Sequence, residues 1–459
     1  MFGVVVALLV VAVSFIYWYR RDVRLPQGPR GLPFFGIIPL LGTNPSKQLT
    51  DWAKVYGSVY TARFGQRDTV VLTDYEDIHN VHIKQAAKMG GRNPMHIFDV
   101  CNKGGGLIFA TPKMAEMHRP FTLHAFRRLG MGSKTLEARV QEEAACLVDA
   151  FREKVGNPFD PKNLFLSAAV NISTLIMIGE RYSYDDKMIK EIGWRLINEF
   201  LNEKITFYFL EFSEKKVEEH KNSYDENEMR DFIDIFLNEM SKENHDPSFN
   251  KRQLKLVLHD LLDAASQTTS CTLACCMIAL VRYPECQERL RHEIKKVVGN
   301  EKSVSMENRK DMPYMQAFIH ELMRRCTLVR LSATRTVLDG VEVRGYKLPK
   351  NTPMIAVTWA VHSDPRHFEN PNEFRPERFI NQVDGTFQKS KFWMPFATGK
   401  RNCLGEQLAQ MELFIILATL IQRFEFSVKD ETRIPSLDDG EHGIVFIPRD
   451  LDLIATERV

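Results

Sequence analysis

The chain has 459 residues, 44% of them hydrophobic, and a formal net charge of only +2. That is enough apolar material for a large core, and the near-neutral balance gives no general attraction to nucleic acid, local basic patches aside. Chains above about 250 residues normally split into domains, but no internal repeat or low-complexity linker follows residue 45, so one large domain is the better reading.

Residues 1–19 carry no charged side chain, and roughly 20 apolar residues span a bilayer. Tyr17, Trp18 and Tyr19 supply an interfacial aromatic belt, and Arg20, Arg21 and Arg24 follow it. The positive-inside rule then puts the remainder in the cytosol. A cleaved signal peptide would want charge before the apolar run and small residues after it, and neither is here. Residues 1–24 are therefore expected to be a retained transmembrane anchor. Residues 25–45 alternate Pro26, Pro29, Pro33 and Pro39 with glycines, which predicts a semi-rigid hinge. Residues 46–459 form the globular part. The sequon Asn171-Ile172-Ser173 would then lie on the wrong side for glycosylation.

Further along, apolar positions at three-and-four spacing predict helices over 137–155, 252–282 and 404–424. Strand-like runs occur at 69–73, 341–348 and 353–358, and the charged stretches 213–230 and 241–252 read as solvated helix ends or loops. The fold class is mainly α with small β-sheets. Cysteines 101, 146, 271, 275, 276, 286 and 326 lack paired spacing, which fits reduced thiols facing the cytosol. Cys271, Cys275 and Cys276 have no histidine or carboxylate partner nearby and read as small core residues.

The eighth cysteine stands apart. Phe396-Ala397-Thr398-Gly399-Lys400-Arg401-Asn402-Cys403-Leu404-Gly405 reads most economically as a thiolate on a glycine-flexed loop, held out to ligate haem iron. A thiolate ligand favours oxygen-oxygen cleavage over reversible oxygen carriage. Gly399 and Gly405 permit tight or positive-φ backbone and a close pass along a flat macrocycle. Arg401 offers a fixed cationic fork to a carboxylate such as a haem propionate.

This segment fills every fixed position of Phe-x-x-Gly-x-Arg-x-Cys-x-Gly and so resembles the cytochrome P-450 superfamily of haem-thiolate monooxygenases. Within it, the chain looks most like the microsomal animal enzymes of family 2. Glu321-Leu322-Met323-Arg324 and Arg375-Pro376-Glu377-Arg378-Phe379 match further family strings, as do Gly345–Lys350 and Arg230–Asp234, and the likeness runs from about residue 26 to the end. It implies the P-450 fold. Glu321 and Arg324 share a helix face, and the resemblance brings Arg378 to them as a buried network that locks the ligand loop. It also offers Arg119 and Arg335 as propionate partners beside Arg401. Where the family reads Trp-x-x-x-Arg, this chain has Ala115; His118 could substitute, though a core or solvated place suits it better.

In the central helix, Ala264-Ala265-Ser266-Gln267-Thr268-Thr269 stands where the family shows a glycine and an acid before two threonines. The chemistry wants a locally opened helix there. Thr268 matches the oxygen-side threonine, while Ala265 adds a methyl group and Gln267 removes a carboxylate that would relay protons, so slower or less coupled turnover is expected. Substrate contacts are implied around 90–106, 196–212, 263–268 and 328–333. Between Phe200 and Glu214 the chain is short for the family, and Phe200, Phe207, Tyr208, Phe209 and Phe212 line a lipophilic pocket or pack a core or membrane-facing surface. Arg330 replaces a usual proline and is expected to point away from the haem.

The resemblance thus implies a monooxygenase that uses haem b (iron protoporphyrin IX). It would insert one atom of dioxygen into a lipophilic small molecule with electrons from NADPH-cytochrome P-450 reductase, cytochrome b5 being admissible as a second donor. It also implies the endoplasmic reticulum membrane and its lipid. The departures at Ala265 and Gln267 leave two alternatives open: a haem-thiolate isomerase or dehydratase, and a catalytically inactive haem- or ligand-binding protein.

Overall fold

A computed structural model describes residues 22–92, 102–198 and 203–458, with 3, 5, 6 and 9–13 of the N-terminal run. Tyr17 to Tyr19, Arg20, Arg21, residues 93–101 and Phe200 lie outside the described residues, as does the side chain of Phe207.

Six helices build the centre of the molecule: α1 (Pro112–Arg128), α2 (Lys134–Arg152), α3 (Lys162–Ile178), α4 (Lys251–Arg282), α5 (Pro313–Cys326) and α6 (Glu406–Arg423). Local sequence sets their ends. The Asn250 side chain accepts the Gln253 N–H and caps α4, whereas Pro284 stops it, because the residue before a proline is pushed out of the helical region. Gly179 at φ 69 closes α3 in the left-handed conformation.

α3 is buried on nearly every face and packs along α4, which is itself mostly buried. A helix apolar all round belongs to a core or a membrane, and here α4 is the core. It is also the one helix among the described residues long and apolar enough to cross a bilayer. The expected N-terminal anchor is represented only by residues such as 9–13, which are helical and exposed. Asn171, in the middle of α3, is fully buried and donates to Glu143 and to the Tyr182 carbonyl, so the sequon is closed to glycosylation.

The largest sheet has the order β1-β2-β7-β4-β3 (Val59–Phe64, Arg67–Leu72, Pro353–Ala356, Arg335–Val337, Met89–Arg92). The strand expected over 341–348 is instead a hairpin, β5 (Val341–Val343) and β6 (Tyr346–Leu348). Arg344 and Gly345 both take positive φ, 49° and 81°, and turn the chain back in two residues. The Pro/Gly segment is not a free spacer. Ile37 N–H donates to the Arg63 carbonyl at 2.7 Å and Gly65 N–H to that of Phe35 at 3.2 Å, which docks the segment on the outer edge of β1.

Candidate active site around Cys403

The loop entering α6 is bent by two left-handed residues, Ala397 (φ 57) and Gly399 (φ 76). A Cβ on Gly399 would stand 2.0 Å from the carbonyl oxygen of His82, so only glycine lets the loop lie against the Asn80–Lys84 turn. The Phe396 carbonyl accepts Cys403 N–H and the Gly399 carbonyl accepts Asn402 N–H, each at 2.9 Å. Gly405 takes φ −88, which any residue adopts, so the expected positive φ occurs at 399 and not at 405.

The thiol of Cys403 is accessible by surface area, yet that surface faces internal cavities. Burial pushes its pKa up, against the Gly405 N–H and the Arg119 guanidinium, which both favour the thiolate. Two cavities of about 220 and 210 Å³ meet here and share Arg92, Thr268, Thr269, Arg401, Cys403 and Ala409. Phe396, Arg335 and Thr358 line the first; Arg119, Ala264 and Glu412 line the second.

Charge gives the sharper test of whether haem fits. Arg92, Arg119, Arg335 and Arg401 converge on this space, and none has an ion-pair partner among the described residues. Burial and mutual repulsion hold Arg335 and Arg401 down to about 10, and Arg92 well below its ordinary value. Arg335 is 2% exposed, and its Nε and Nη1 have no acceptor. Buried cations without anions are costly, so the cluster calls for a dianionic ligand; a tetrapyrrole with two carboxylates fits, and Cys403 supplies a soft sulfur donor. The remaining guanidinium atoms tie the walls together. Arg335 Nη2 donates to the Thr398 carbonyl at 2.6 Å, Arg401 to the Gly90 and Ala110 carbonyls at 2.9 and 2.7 Å, and Arg119 to the Asn402 carbonyl.

His118 does not stand in for the absent indole. It lies in the core on Phe249, bonds Ser248 Oγ at 3.0 Å, and is held down to about 4 by burial. With alanine at 115, a third cavity of about 270 Å³ opens beside Arg119 and Arg401. Arg330 points elsewhere, onto the Phe446 ring, His442 and Asp438.

On α5, Arg324 grips Glu321 with two bonds of 2.7 and 2.8 Å, and Arg378 Nε donates to Glu321 Oε1 at 3.2 Å. Glu321 and Arg324 are essentially inaccessible. The route to the ligand loop runs through His362. Arg324 donates to its carbonyl at 2.7 Å, and its Nε2 accepts the N–H of Met394, just ahead of the loop, at 3.0 Å. Burial holds this imidazole down to about 3, so it stays neutral and can accept.

α4 remains a continuous helix through the segment expected to open. Thr268 Oγ1 donates to the Ala264 carbonyl at 2.7 Å and Ser266 Oγ to that of Leu262 at 2.6 Å; these bonds stay inside the ladder rather than break it. Ala264, Ala265, Thr268 and Thr269 line the cavities. Gln267 is buried and lines neither, because its position is turned about 100° from Thr268 around the helix. Its expected place beside the reacting centre is therefore not met.

A carboxyl reaches the cavity from α6 instead. Glu412, 1% exposed, accepts from Thr269 Oγ1 at 2.9 Å, has no partner at Oε1, and is raised by burial to about 8. Sequence reasoning missed it, together with Arg92 and His362. The signal for Glu412 was present, a lone acid in the otherwise apolar run Met411–Ile416.

The cytochrome P450 family model matches residues 26–210 and 194–455. Among curated proteins, the chain is 35% identical to cytochrome P450 2C3 of Oryctolagus cuniculus over 94% of both chains. It is 34% identical to cytochrome P450 2C21 of Canis lupus familiaris over 92% of this chain and 93% of that one. With cytochrome P450 2F2 of Rattus norvegicus it shares 32% identity over 97% and 96%.

Proposed function

Because the chain belongs to the cytochrome P450 family and is an oxidoreductase of the monooxygenase type, we propose that it oxygenates a lipophilic small molecule with electrons from an NADPH-dependent reductase. Haem b is the cofactor in this reading. When bound, a thiolate-ligated haem activates dioxygen and supplies the oxygen atom that is inserted. Cys403 would hold the iron through its thiolate, and Arg92, Arg119, Arg335 and Arg401 would hold the propionates. The Glu321–Arg324–Arg378 network, acting through His362 and Met394, keeps the ligand loop in register. Thr268 holds water at the cavity face of α4, whose apolar lining excludes bulk solvent. Residues 1–24 anchor the chain in the endoplasmic reticulum membrane, with the globular part in the cytosol and 25–45 leading into it.

The observation that carries the reading is one cysteine thiol facing cavities lined by four guanidiniums, Arg335 and Arg401 buried and Arg92 and Arg119 half-buried, that have no counter-ion among the described residues. Its test is the absorption spectrum of the reduced, carbon-monoxide-bound protein. Thiolate ligation gives a strongly red-shifted Soret band, which Cys403→Ser should abolish; a band retained in that variant sinks the assignment. Reductase-dependent NADPH consumption with oxygenated product supports the monooxygenase. Turnover of an organic peroxide without reductase would put an isomerase or dehydratase in its place.

A further inference from the structure

The third cavity, of about 270 Å³, lies between α1 and the cysteine loop, and the proposed function leaves it without an occupant. Resting on the haem reading above, we propose that it is a separate binding site for a small aromatic carboxylate. The ring packs on Ala115, Pro112, Leu123 and Leu404, and the carboxylate meets Lys400. A ligand held there acts on the haem through Arg119 and Arg401, which border both spaces.

The shape follows from one small side chain. Ala115 is buried on α1 and ends at its Cβ, so the space between α1 and Lys400–Leu404 stays open. Pro112, Leu123 and Leu404 give it apolar walls, and it reaches the surface at the exposed side chains of Glu116 and Lys400. Ligand pockets commonly run from about 300 to 1,000 Å³, so this one takes only a small molecule. Guanidiniums stack on aromatic faces, and two of them line the cavity, which favours a planar ring over an aliphatic chain.

Charge selects the anion. Arg92, Arg119, Arg335 and Arg401 bring four positive charges to the cavities at Cys403. Two haem carboxylates answer two of them, and the charge of a Cys403 thiolate is answered by the metal it would hold. The surplus reaches the third cavity through Arg119 and Arg401. Arg401 spends its donors on the carbonyls of Gly90, Leu107 and Ala110, and Arg119 Nη2 is taken by that of Asn402. These two therefore supply field, while Lys400 supplies the hydrogen bonds. Its Nζ stands 4.0 Å from Glu116 Oε1, with the side chains 49% and 70% exposed, and such a pair is too weak to hold the ammonium from a ligand. Glu116 is the only acid lining the cavity among the described residues, and at that exposure water and salt screen it. An anion placed here stands beside the guanidinium that holds the Asn402 carbonyl, one residue before Cys403. Added negative charge at that distance favours ferric over ferrous iron, so the ligand should lower the reduction potential.

The test is calorimetric titration of naphthoate into the full-length, haem-loaded protein in zwitterionic bilayers, with empty bilayers as the blank. One equivalent should bind. Lys400→Glu and Ala115→Trp should each weaken it by about tenfold or more, the weight of one ion pair or of a filled cavity. Naphthalenemethanol, which has the ring without the charge, and acetate, which has the charge without the ring, should each bind at least about tenfold more weakly than naphthoate. A molecule bound over the haem would be indifferent to Ala115→Trp. Naphthoate should also move the midpoint potential of the wild type to more negative values and leave that of Ala115→Trp where it was. Lys400 is exposed, so Lys400→Glu decides the matter should Ala115→Trp lose its haem. Naphthoate that does not bind a protein showing the red-shifted carbon-monoxide band, or that binds Lys400→Glu as tightly as the wild type, overturns the site alone. Binding with an unmoved potential overturns the coupling to the haem. A protein without the band overturns the haem reading, and the site with it.

Discussion

At the residue scale the buried charges decide most. Glu321 accepts from Arg324, from the Arg375 N–H and from Arg378, with none of the carboxylate exposed to water. Glu321→Ala leaves Arg324 buried without an anion, and Arg378 with only Glu373 at 3.9 Å, and should cost about 3 to 5 kcal/mol, far above the 0 to 1 kcal/mol or so of an exposed pair. Denaturant unfolding of the haem-loaded protein measures it, and a loss under 1 kcal/mol would show that water or a rearranged neighbour takes the place of Glu321. Glu412 makes a second prediction, about pH. Its folded value near 8 exceeds the unfolded value of 4.5, so the folded state keeps a proton that the unfolded chain releases. Stability is therefore full below about 4.5 and declines as pH rises to about 8, by as much as about 5 kcal/mol. Glu412→Gln should remove that decline. The Cys403 loop and Glu321 with Arg324 were legible because each is a short local string. Arg92, His362 and Glu412 were not, because their roles exist only across distant segments: Thr269 and Glu412 are 143 residues apart.

At the element scale, α4 shows what periodicity can and cannot carry. The helix expected over 252–282 forms from Lys251 to Arg282, and its length and apolar content announce a core. Which side chains meet the cavity depends on helix phase and on the neighbours, α3 and α6, that no spacing within α4 reveals. Phase turns Gln267 into the core while Thr268 faces the cavity. Gln267→Glu is therefore expected to leave the product yield per NADPH unchanged and to lower stability by about 1 to 3 kcal/mol through a poorly accommodated acid. Thr268→Ala should instead raise peroxide release, since it removes the cavity-facing hydroxyl. Peroxide assays on the two variants separate the faces: a gain in yield from Gln267→Glu would mean that the helix rotates or opens when haem is bound. The hairpin at 341–348 makes the same point in β-structure. Alternation marked extended chain there, but only the left-handed pair Arg344 and Gly345 divides it into two short strands.

At the scale of the whole molecule, the remaining question is how the globular part meets a membrane. The charge-free residues 1–19 followed by Arg20, Arg21 and Arg24 favour an anchor with the bulk of the chain on the cytosolic side. Beyond residues 1–24, the segment docked on β1 leaves Leu32, Phe34, Phe35, Ile38 and Leu40 exposed, Phe34 and Phe35 by 66% and 63%. Its prolines and the backbone bonds from Ile37 and Gly65 fix these side chains on the surface. An exposed apolar cluster next to an anchor is suited to the headgroup boundary, where each buried side chain adds attachment that salt does not screen. Protease added outside sealed microsomes should digest the globular part without detergent, and protection until detergent is added would reverse the topology. Deletion of residues 1–24 should keep haem, because every group placed around the cavity lies at residue 90 or later apart from the His82 carbonyl. The truncated protein should still float with anionic or neutral vesicles, and Phe34→Ser with Phe35→Ser should release it. Truncated protein that stays soluble beside vesicles would assign all membrane attachment to the first 24 residues.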